Sequence, residues 1–563
     1  MLFAPYFSSH VNVGTILDSL VLALQHPFSI TWVESSPRFL LLFSLVYGIA
    51  WASWWATRRN LRPKEEYGSA HWGNVRELCK RYADPHGGNR IFTENFRMGL
   101  DGKKHRRSLN SLILGASGTG KSRSYIIPNI LAMNGSMLIL DPKKELLRST
   151  GGVLKKNGYD VRVFDLIDIQ NSYRYNPMRY LESDKDVLTL VDALIRNTTP
   201  AKSHDTDPFW TKAETSMFQA LILYLMYEAP PEEQNLGMVM ELLRAGEARE
   251  EDDDFQSPLD ILFERLAMRE PNHVAVKAYR TFQQAAVKTA KSILVSAGVR
   301  LSSISLGIIE SLVSMDELDL YTLGTQKVAL YCCLPDNDKS LNYLAGLLIM
   351  QVIQVLYRVA DQHGGSLPIS VHLMQDEFAN VPSLPGDAYQ QYLSTCRSRN
   401  IHNSICIQGL SQLQAMFKDE WEIIVANCDE LLVLGVNDSK SADYISHLMG
   451  KSTVDITTHG HTKGLKGSYS DNFQQVGREL MAPDEIRLMN NDYALLLIRG
   501  ENPCIDRKFN LSQHPSYAAT PEGGGSRDFD YTQLAYPLQP DIDFDDTDDP
   551  QGHTLNPLEV HSD

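Results

Sequence analysis

The chain has 563 residues, 43% of them hydrophobic, and single cores stop growing near about 250–300 residues, so several domains are expected. Its formal charge of −16 is unevenly spread: from Pro521 onward eleven Asp or Glu stand against Arg527 alone, which leaves the remainder only mildly acidic. That balance argues against wholesale coating of the protein by nucleic acid, while a local basic channel stays compatible with it, so composition neither supports nor excludes DNA.

The first predicted element is a membrane helix. Phe39 to Thr57 (FLLLFSLVYGIAWASWWAT) carries no charge, and a helix of that length reaches about 28 Å against a hydrocarbon core of about 30 Å. Trp51, Trp54 and Trp55 gather at its downstream end, followed by Arg58, Arg59, Arg62 and Lys64, the pattern of an interfacial aromatic belt with a positive cytoplasmic flank. The protein is therefore expected in the cell membrane with everything after this helix in the cytoplasm; a buried core helix is the alternative. Upstream, Val11 to Leu24 is apolar but contains Asp18 and soon meets His26 and Pro27. It reads as an amphipathic surface helix, with a second crossing as the alternative.

Leu109 to Leu114 reads as a buried strand that runs into Gly115-Ala116-Ser117-Gly118-Thr119-Gly120-Lys121-Ser122, followed by a helix-compatible segment ending before Pro128. This is G-x-x-x-x-G-K-S in its strand, loop, helix setting. The glycines let backbone N–H groups close around phosphate oxygens, and the helix that follows offers its positive end. ATP and Mg2+ are the expected ligands, with Lys121 reaching the β- and γ-phosphates and Ser122 holding the metal.

Two further strands are expected at Ser136 to Leu140, which ends at Asp141-Pro142-Lys143, and at Val161 to Leu166. Apolar positions then recur at helical spacing from about Ser183 to Ser314, for example Phe218, Leu221 and Leu225, which predicts a largely α-helical insertion. Within it, Glu250 to Asp254 is a run of five acids expected in a solvated loop. Strand character returns at Lys327 to Leu334, where Cys332 and Cys333 are expected in a core strand. None of the seven cysteines forms a C-x-x-C pair or a Cys/His cluster at zinc-ligand spacing, so buried thiols in a reducing compartment are expected. An apolar helical stretch follows from Leu341 to Val359.

The second half of the nucleotide site is expected at Ile369 to Met374, a strand ending at Gln375-Asp376-Glu377. Asp376 would bind Mg2+ and Glu377 would act as the base for the lytic water. Ile401 to Ile407 is the neighbouring strand, and Gln408 at its tip is placed to sense the γ-phosphate, an ordinary polar strand end being the alternative. Between the two strands, Arg397 or Arg399 could project into a neighbouring subunit's site; solvation and DNA phosphate binding are their other readings. Leu431 to Gly435 completes the sheet. The fold class is α/β: a RecA-like P-loop nucleotide-binding domain (63–182 and 315–515) with an inserted all-α domain (183–314), an N-terminal membrane anchor (1–62) and an acidic disordered tail (516–563).

From Tyr67 to His514 the chain resembles the type IV coupling proteins, the ATPases that bring DNA to conjugative type IV secretion channels. The likeness rests on Asn95-Phe-Arg-Met-Gly-Leu-Asp101, the phosphate loop, Asp141-Pro-Lys143, Asp207-Pro-Phe-Trp210, Gln375-Asp-Glu-Phe-Ala-Asn380, Asn427-Cys-Asp429 and Arg478-Glu-Leu-Met481, in that order. It looks closest to the branch found in Gram-positive mobile elements. The resemblance implies a motor, usually hexameric around a DNA-conducting pore, whose partners are single-stranded DNA with bound relaxase, the secretion channel proteins and the membrane. Two departures stand out: Lys144 occupies the glycine position of the family's Asp-Pro-Lys-Gly-Glu, and one membrane helix is evident where the family commonly has two. The expected function is a conjugation coupling ATPase; the alternative is a membrane receptor for secreted protein substrates that uses ATP as a conformational switch.

Overall fold

Short runs such as SLIL, MLIL and VALYCC have no polar face, which suits strands covered by helices on both sides. The computed structural model describes residues 65–531 apart from 200–207, 247–255, 285–286, 336, 381–385, 463–467, 527–528 and 530, together with 36–57 and a few positions before it. Most of Val11 to Leu24, the arginines at 58, 59 and 62, Lys64, the acidic run Glu250 to Asp254 and everything beyond Tyr531 lie outside the described residues.

The chain divides into two units, residues 1–69 with 453–477, and 70–452 with 478–563. In the first, Ser36–Thr57 is a 22-residue helix whose Leu41, Phe43, Tyr47, Ile49, Trp54 and Trp55 are all exposed. It is long and apolar enough to cross a membrane. The similarly apolar Asn342–Gln362 is mostly buried and is a core helix of the second unit.

Thirteen strands are described: β1 Asn89–Ile91, β2 Arg97–Gly99, β3 Asn110–Gly115, β4 Ser136–Asp141, β5 Asp160–Asp165, β6 Val328–Cys333, β7 Val371–Gln375, β8 Ile401–Ile407, β9 Glu430–Gly435, β10 Lys451–Thr462, β11 Ser468–Glu479, β12 Tyr493–Ile498 and β13 Cys504–Arg507. Nine of them form one sheet in the order β13-β12-β9-β3-β8-β7-β4-β6-β5. The seven strands from β9 to β5 run parallel, and β12 and β13 add an antiparallel edge. Alternate residues feed two cores: Leu112, Leu114, Leu138, Leu140 and Cys332 face one, whereas Ile113, Met137, Ile139, Tyr331 and Cys333 face the other. The adjacent cysteines thus point to opposite sides of a buried strand, as expected, and burial pushes both thiols up. The two-stranded sheets β1-β2 and β10-β11, like β12 and β13, have no counterpart in the elements expected from sequence.

Between β5 and β6 the chain is helical, at Asp184–Thr198, Pro208–Glu228, Leu236–Ala245, Pro258–Arg269, Val274–Gln283, Val287–Arg300 and Gly307–Ser314. Phe218, Leu221 and Leu225 are buried, as their spacing predicts, and so are Met217, Ala220, Ile222 and Leu223, so this stretch of helix is covered all round. Arg300 and Glu214, 2.6 Å apart and largely buried, clamp two of these helices together.

Two expectations need correction. The helix after the phosphate loop does not end before Pro128: a wide turn over Ser122–Ile126, in which the Ile127 N–H donates to the Ser122 carbonyl, continues through Pro128 to Leu131. Proline lacks an N–H, and it is tolerated here because it sits within the first turn of the regular helix Ile127–Leu131. The disordered tail does not begin at Ser516 either, since Tyr517, Phe529 and Tyr531 pack against the second core.

The β1-β2 hairpin packs Phe92, Phe96 and Met98 into the second core, and a buried ion pair ties β1 to the sheet. The Arg90 guanidinium, with no exposed surface, lies 3.0 Å from Glu430 Oε2 and also donates to the Leu109 carbonyl (2.8 Å) and Ser111 Oγ (2.9 Å). Burial raises the Glu430 carboxyl, and Arg90 opposes that shift. Removing one partner of such a pair leaves an uncompensated buried charge. Arg90→Leu is therefore expected to lower the unfolding free energy by about 3–5 kcal/mol, read from urea unfolding of the detergent-solubilised protein.

Candidate functional site

In a parallel sheet every strand ends on the same edge, so residues just past β3, β7 and β8 meet although far apart in sequence. The loop leaving β3 has the geometry that only its glycines allow. Gly118 and Gly120 lie at φ +81° and +86°, and a Cβ on Gly115 would stand 2.5 Å from Thr119 Oγ1 and 2.8 Å from Lys121 Cγ. Ala116 N–H donates to the Gly435 carbonyl at 2.9 Å, tying the loop to β9. Ser117 lies at the exposed crest. Lys121 is buried, and its ammonium donates to the Gly115 carbonyl at 2.7 Å.

Ser122 Oγ donates to Asp376 Oδ2 at 2.9 Å, joining the loop to the end of β7. Asp376 is buried, and its other oxygen, Oδ1, has no hydrogen-bond partner among the described residues. Burial raises its carboxyl above the ordinary range, against the Ser122 hydrogen bond and the Lys121 charge. A half-satisfied buried carboxylate beside a serine hydroxyl fits a hard divalent cation, which takes oxygen ligands. Asp141 ends β4 one strand further along. Its carboxylate accepts the Leu147 N–H at 2.8 Å, and burial pushes it up to about 6, with Asp376 adding to the shift.

Glu377 sits at φ +52°, a left-handed conformation unusual for a residue with a side chain. That strain turns its carboxylate toward Asn380, whose Nδ2 donates to Oε2 at 2.9 Å. Gln408 follows the last residue of β8, and Ile407 pairs with Leu114, so Gln408 lies beside the start of the phosphate loop. Its N–H is held by Gln412 Oε1 at 2.8 Å. Lys121, Ser122, Asp376, Glu377 and Gln408 therefore share one edge of the sheet.

Arg397 and Arg399 do not join them. They precede β8, whose length of seven residues puts them about 23 Å from the phosphate-loop edge. Arg399 stacks over Tyr357 at 4.0 Å and lies 3.6 Å from Asp361. Arg397 is exposed beside the Gly102–His105 turn, its Cγ 3.3 Å from where a Gly102 Cβ would stand.

Sequence reasoning missed Lys508. It follows β13 and its ammonium donates to the Thr119 carbonyl (2.9 Å) and Asn491 Oδ1 (2.8 Å), pinning the phosphate loop from the antiparallel edge. Burial brings this amine down to about 8, against the attraction of Asp492, which leaves it charged at neutral pH. No local signal pointed to it, because the contact depends on β12 and β13.

A parallel sheet with this loop at its centre defines the P-loop class of α/β proteins. Residues 86–519 match the family described as type IV secretory system conjugative DNA transfer, and the chain belongs to that family. Protein VirD4 of Rhizobium radiobacter is 25% identical over 473 residues, 80% of this chain and 64% of that protein. Conjugal transfer protein TraG of Escherichia coli is 24% identical over 394 residues, 65% of this chain and 59% of that protein. The chain thus aligns with less than two thirds of either relative. Among solved structures, plasmid coupling protein TrwB in complex with ADP and Mg2+ has the same fold: TM-score 0.55 at 16% identity, over 79% of this chain and 97% of that one.

A hydrogen bond from a charged donor contributes about 1.5–3 kcal/mol. Lys508→Ala is expected to weaken binding of a fluorescent ATP analogue about tenfold or more, with Lys508→Arg close to wild type; equal affinity for all three would show that Lys508 does not hold the loop.

Proposed function

We propose that this chain is a coupling ATPase that recruits relaxase-bound single-stranded DNA and drives or gates its passage through a type IV secretion channel. The observation that carries the reading is the unpartnered Asp376 oxygen across Ser122 from a lysine that holds only its own loop. These are the groups a magnesium triphosphate needs.

In this reading the N–H groups from Gly115 to Ser122 cradle the phosphates, and Lys121 turns from the Gly115 carbonyl to the β- and γ-phosphates. Ser122 and Asp376 would hold Mg2+. Held there by Ser122 and Asp376, a divalent cation would supply positive charge against the charge that develops in transfer. Glu377, oriented by Asn380, takes the proton of the attacking water onto its carboxylate. Gln408 senses the γ-phosphate from the neighbouring strand tip.

Arg397 is too far from its own phosphate loop to act there, and it is exposed at the opposite edge of the sheet. A ring of subunits, hexameric in this reading, brings that edge to the next subunit's nucleotide. Arg399, engaged by Tyr357 and Asp361, braces the turn that presents Arg397. Ser36–Thr57 anchors the ring in the cell membrane with the nucleotide domain (63–182 and 315–515) in the cytoplasm. The helical region 183–314 and the acidic residues after 516 are the parts left to engage cargo and channel proteins.

The test is ATP hydrolysis by the full chain in lipid nanodiscs, with and without single-stranded DNA. Activity is expected to rise with DNA and to fall at least a hundredfold in Lys121→Ala and Glu377→Gln. Hydrolysis indifferent to DNA would favour the protein-receptor alternative. A second experiment addresses the arginine: one supplied in trans contributes roughly 10³ to 10⁵ in rate. Arg397→Ala should lose hydrolysis while keeping nucleotide affinity, and mixing it with Lys121→Ala chains should restore part of the activity. Some interfaces of the mixture pair an intact loop with an intact arginine. If the mixture stays inactive, Arg397 is not supplied in trans.

A further inference from the structure

Glycine is among the poorest helix formers, yet the helix Glu145–Lys156 carries Gly151 and Gly152 at its centre. The reason lies in the C-terminal segment. A Cβ on Gly151 would stand 2.5 Å from Phe529 Cε1, and one on Gly152 would stand 3.2 Å from Phe529 Cβ. The paired glycines leave a flat seat on the helix, and the Phe529 ring occupies it.

A second seat lies at the N-terminus of the same helix. Lys144 is buried, and its ammonium is 2.5 Å from Asp165 Oδ2, which has no exposed surface. The ammonium donates to the Tyr531 hydroxyl (2.8 Å), and that hydroxyl donates to Asp165 Oδ2 (2.9 Å), closing a triangle. Phe529 and Tyr531, two residues apart, fill two prepared positions. Earlier in the same segment, Glu522 pairs with Arg123, the residue after Ser122.

We propose that Phe529-x-Tyr531 is a hook, that the Glu145–Lys156 helix is a built receptor for this segment of the chain itself, and that its docking is coupled to nucleotide binding. The acidic C-terminus then leaves the domain from a fixed point. One connection carries the coupling. The helix N-terminus holds the Asp141 carboxylate through the Leu147 N–H, whereas the exposed Arg123–Glu522 pair adds little. Coupling between sites is reciprocal, so a partner that pulls on the acidic end would change nucleotide affinity, and nucleotide would change the hold of the hook. The coupling rests on the nucleotide-binding reading; the docking does not.

The test is a double-mutant cycle in the detergent-solubilised full chain, read by thermal unfolding and by hydrogen exchange across 145–156. In a free helix, replacing glycine by alanine stabilises. With Phe529 in place, Gly151→Ala is expected to lower the melting temperature by about 2–4 °C and speed exchange. In a Phe529→Ala background the same change is expected to raise it. Gly151→Ala raising the melting temperature in both backgrounds, or exchange unaltered by Phe529→Ala, would overturn the hook. Tyr531→Phe removes only the hydroxyl and is expected to shift affinity for a fluorescent ATP analogue at least threefold. Unchanged affinity would overturn the coupling, and no binding by the wild-type chain would overturn the nucleotide reading instead.

Discussion

The hydrogen bond from Ser122 to Asp376 joins positions 254 apart, and everything at the site depends on the constraint behind it. Parallel strands must be linked by crossovers, so their C-terminal ends gather on one edge. The same constraint explains how the chain accommodates a long helical insertion without disturbing that edge. The insertion leaves from β5 and returns at β6, the two strands furthest from the antiparallel edge, whose register runs unbroken from Asp160 and Val328 to Asp165 and Cys333. Growth at one side of the sheet leaves β3, β8 and β7 in place.

Within that frame, two buried electrostatic arrangements do different work. Arg90 and Glu430 pair beside Ser111 and the Leu109 carbonyl, although Arg90 Nε and Glu430 Oε1 have no partner among the described residues, and they tie to the sheet a hairpin that also buries Phe92, Phe96 and Met98. Asp376 is left half satisfied, beside Asp141, with burial opposing ionisation of both. The strained Glu377 backbone adds to the cost. A fold that needed only stability would place apolar residues here, since buried charges are seldom the most stable choice. At this edge of the sheet a cation and a triphosphate would relieve these terms.

What was legible in the sequence follows from the range of each interaction. The phosphate loop is local: three glycines are demanded by dihedral angles and contacts within eight residues, so spacing alone marks it. The strands of the parallel sheet were legible because burial on both faces leaves apolar runs, and the helix through Phe218, Leu221 and Leu225 because its apolar positions recur at helical spacing, although burial there extends round the helix. Residues that act through tertiary neighbours were not legible. Lys508 looks like any surface lysine until β12 and β13 deliver it to Thr119. Arg397 and Arg399 had three readings each, and only the direction of β8 places them opposite the phosphate loop. Pro128 misled because the wide turn before it is set by three-dimensional packing, and the start of the tail because its few aromatics sit in an otherwise polar segment.

Lys144 shows how one strained residue can hold a distant segment. Its backbone lies at φ +57°, a region in which a side chain costs about 1–2 kcal/mol. A lysine here needs compensation, and an exposed ion pair would supply little. Burial of the pair with Asp165 changes the balance only if the remaining hydrogen-bonding capacity is met. Tyr531 meets it, donating to the carboxylate and accepting from the ammonium. The strained residue, the buried acid and the C-terminal phenol therefore form one arrangement, and removal of any member leaves the other two with unmet hydrogen-bonding capacity. Tyr531 is consequently bound to the residue that opens the Glu145–Lys156 helix.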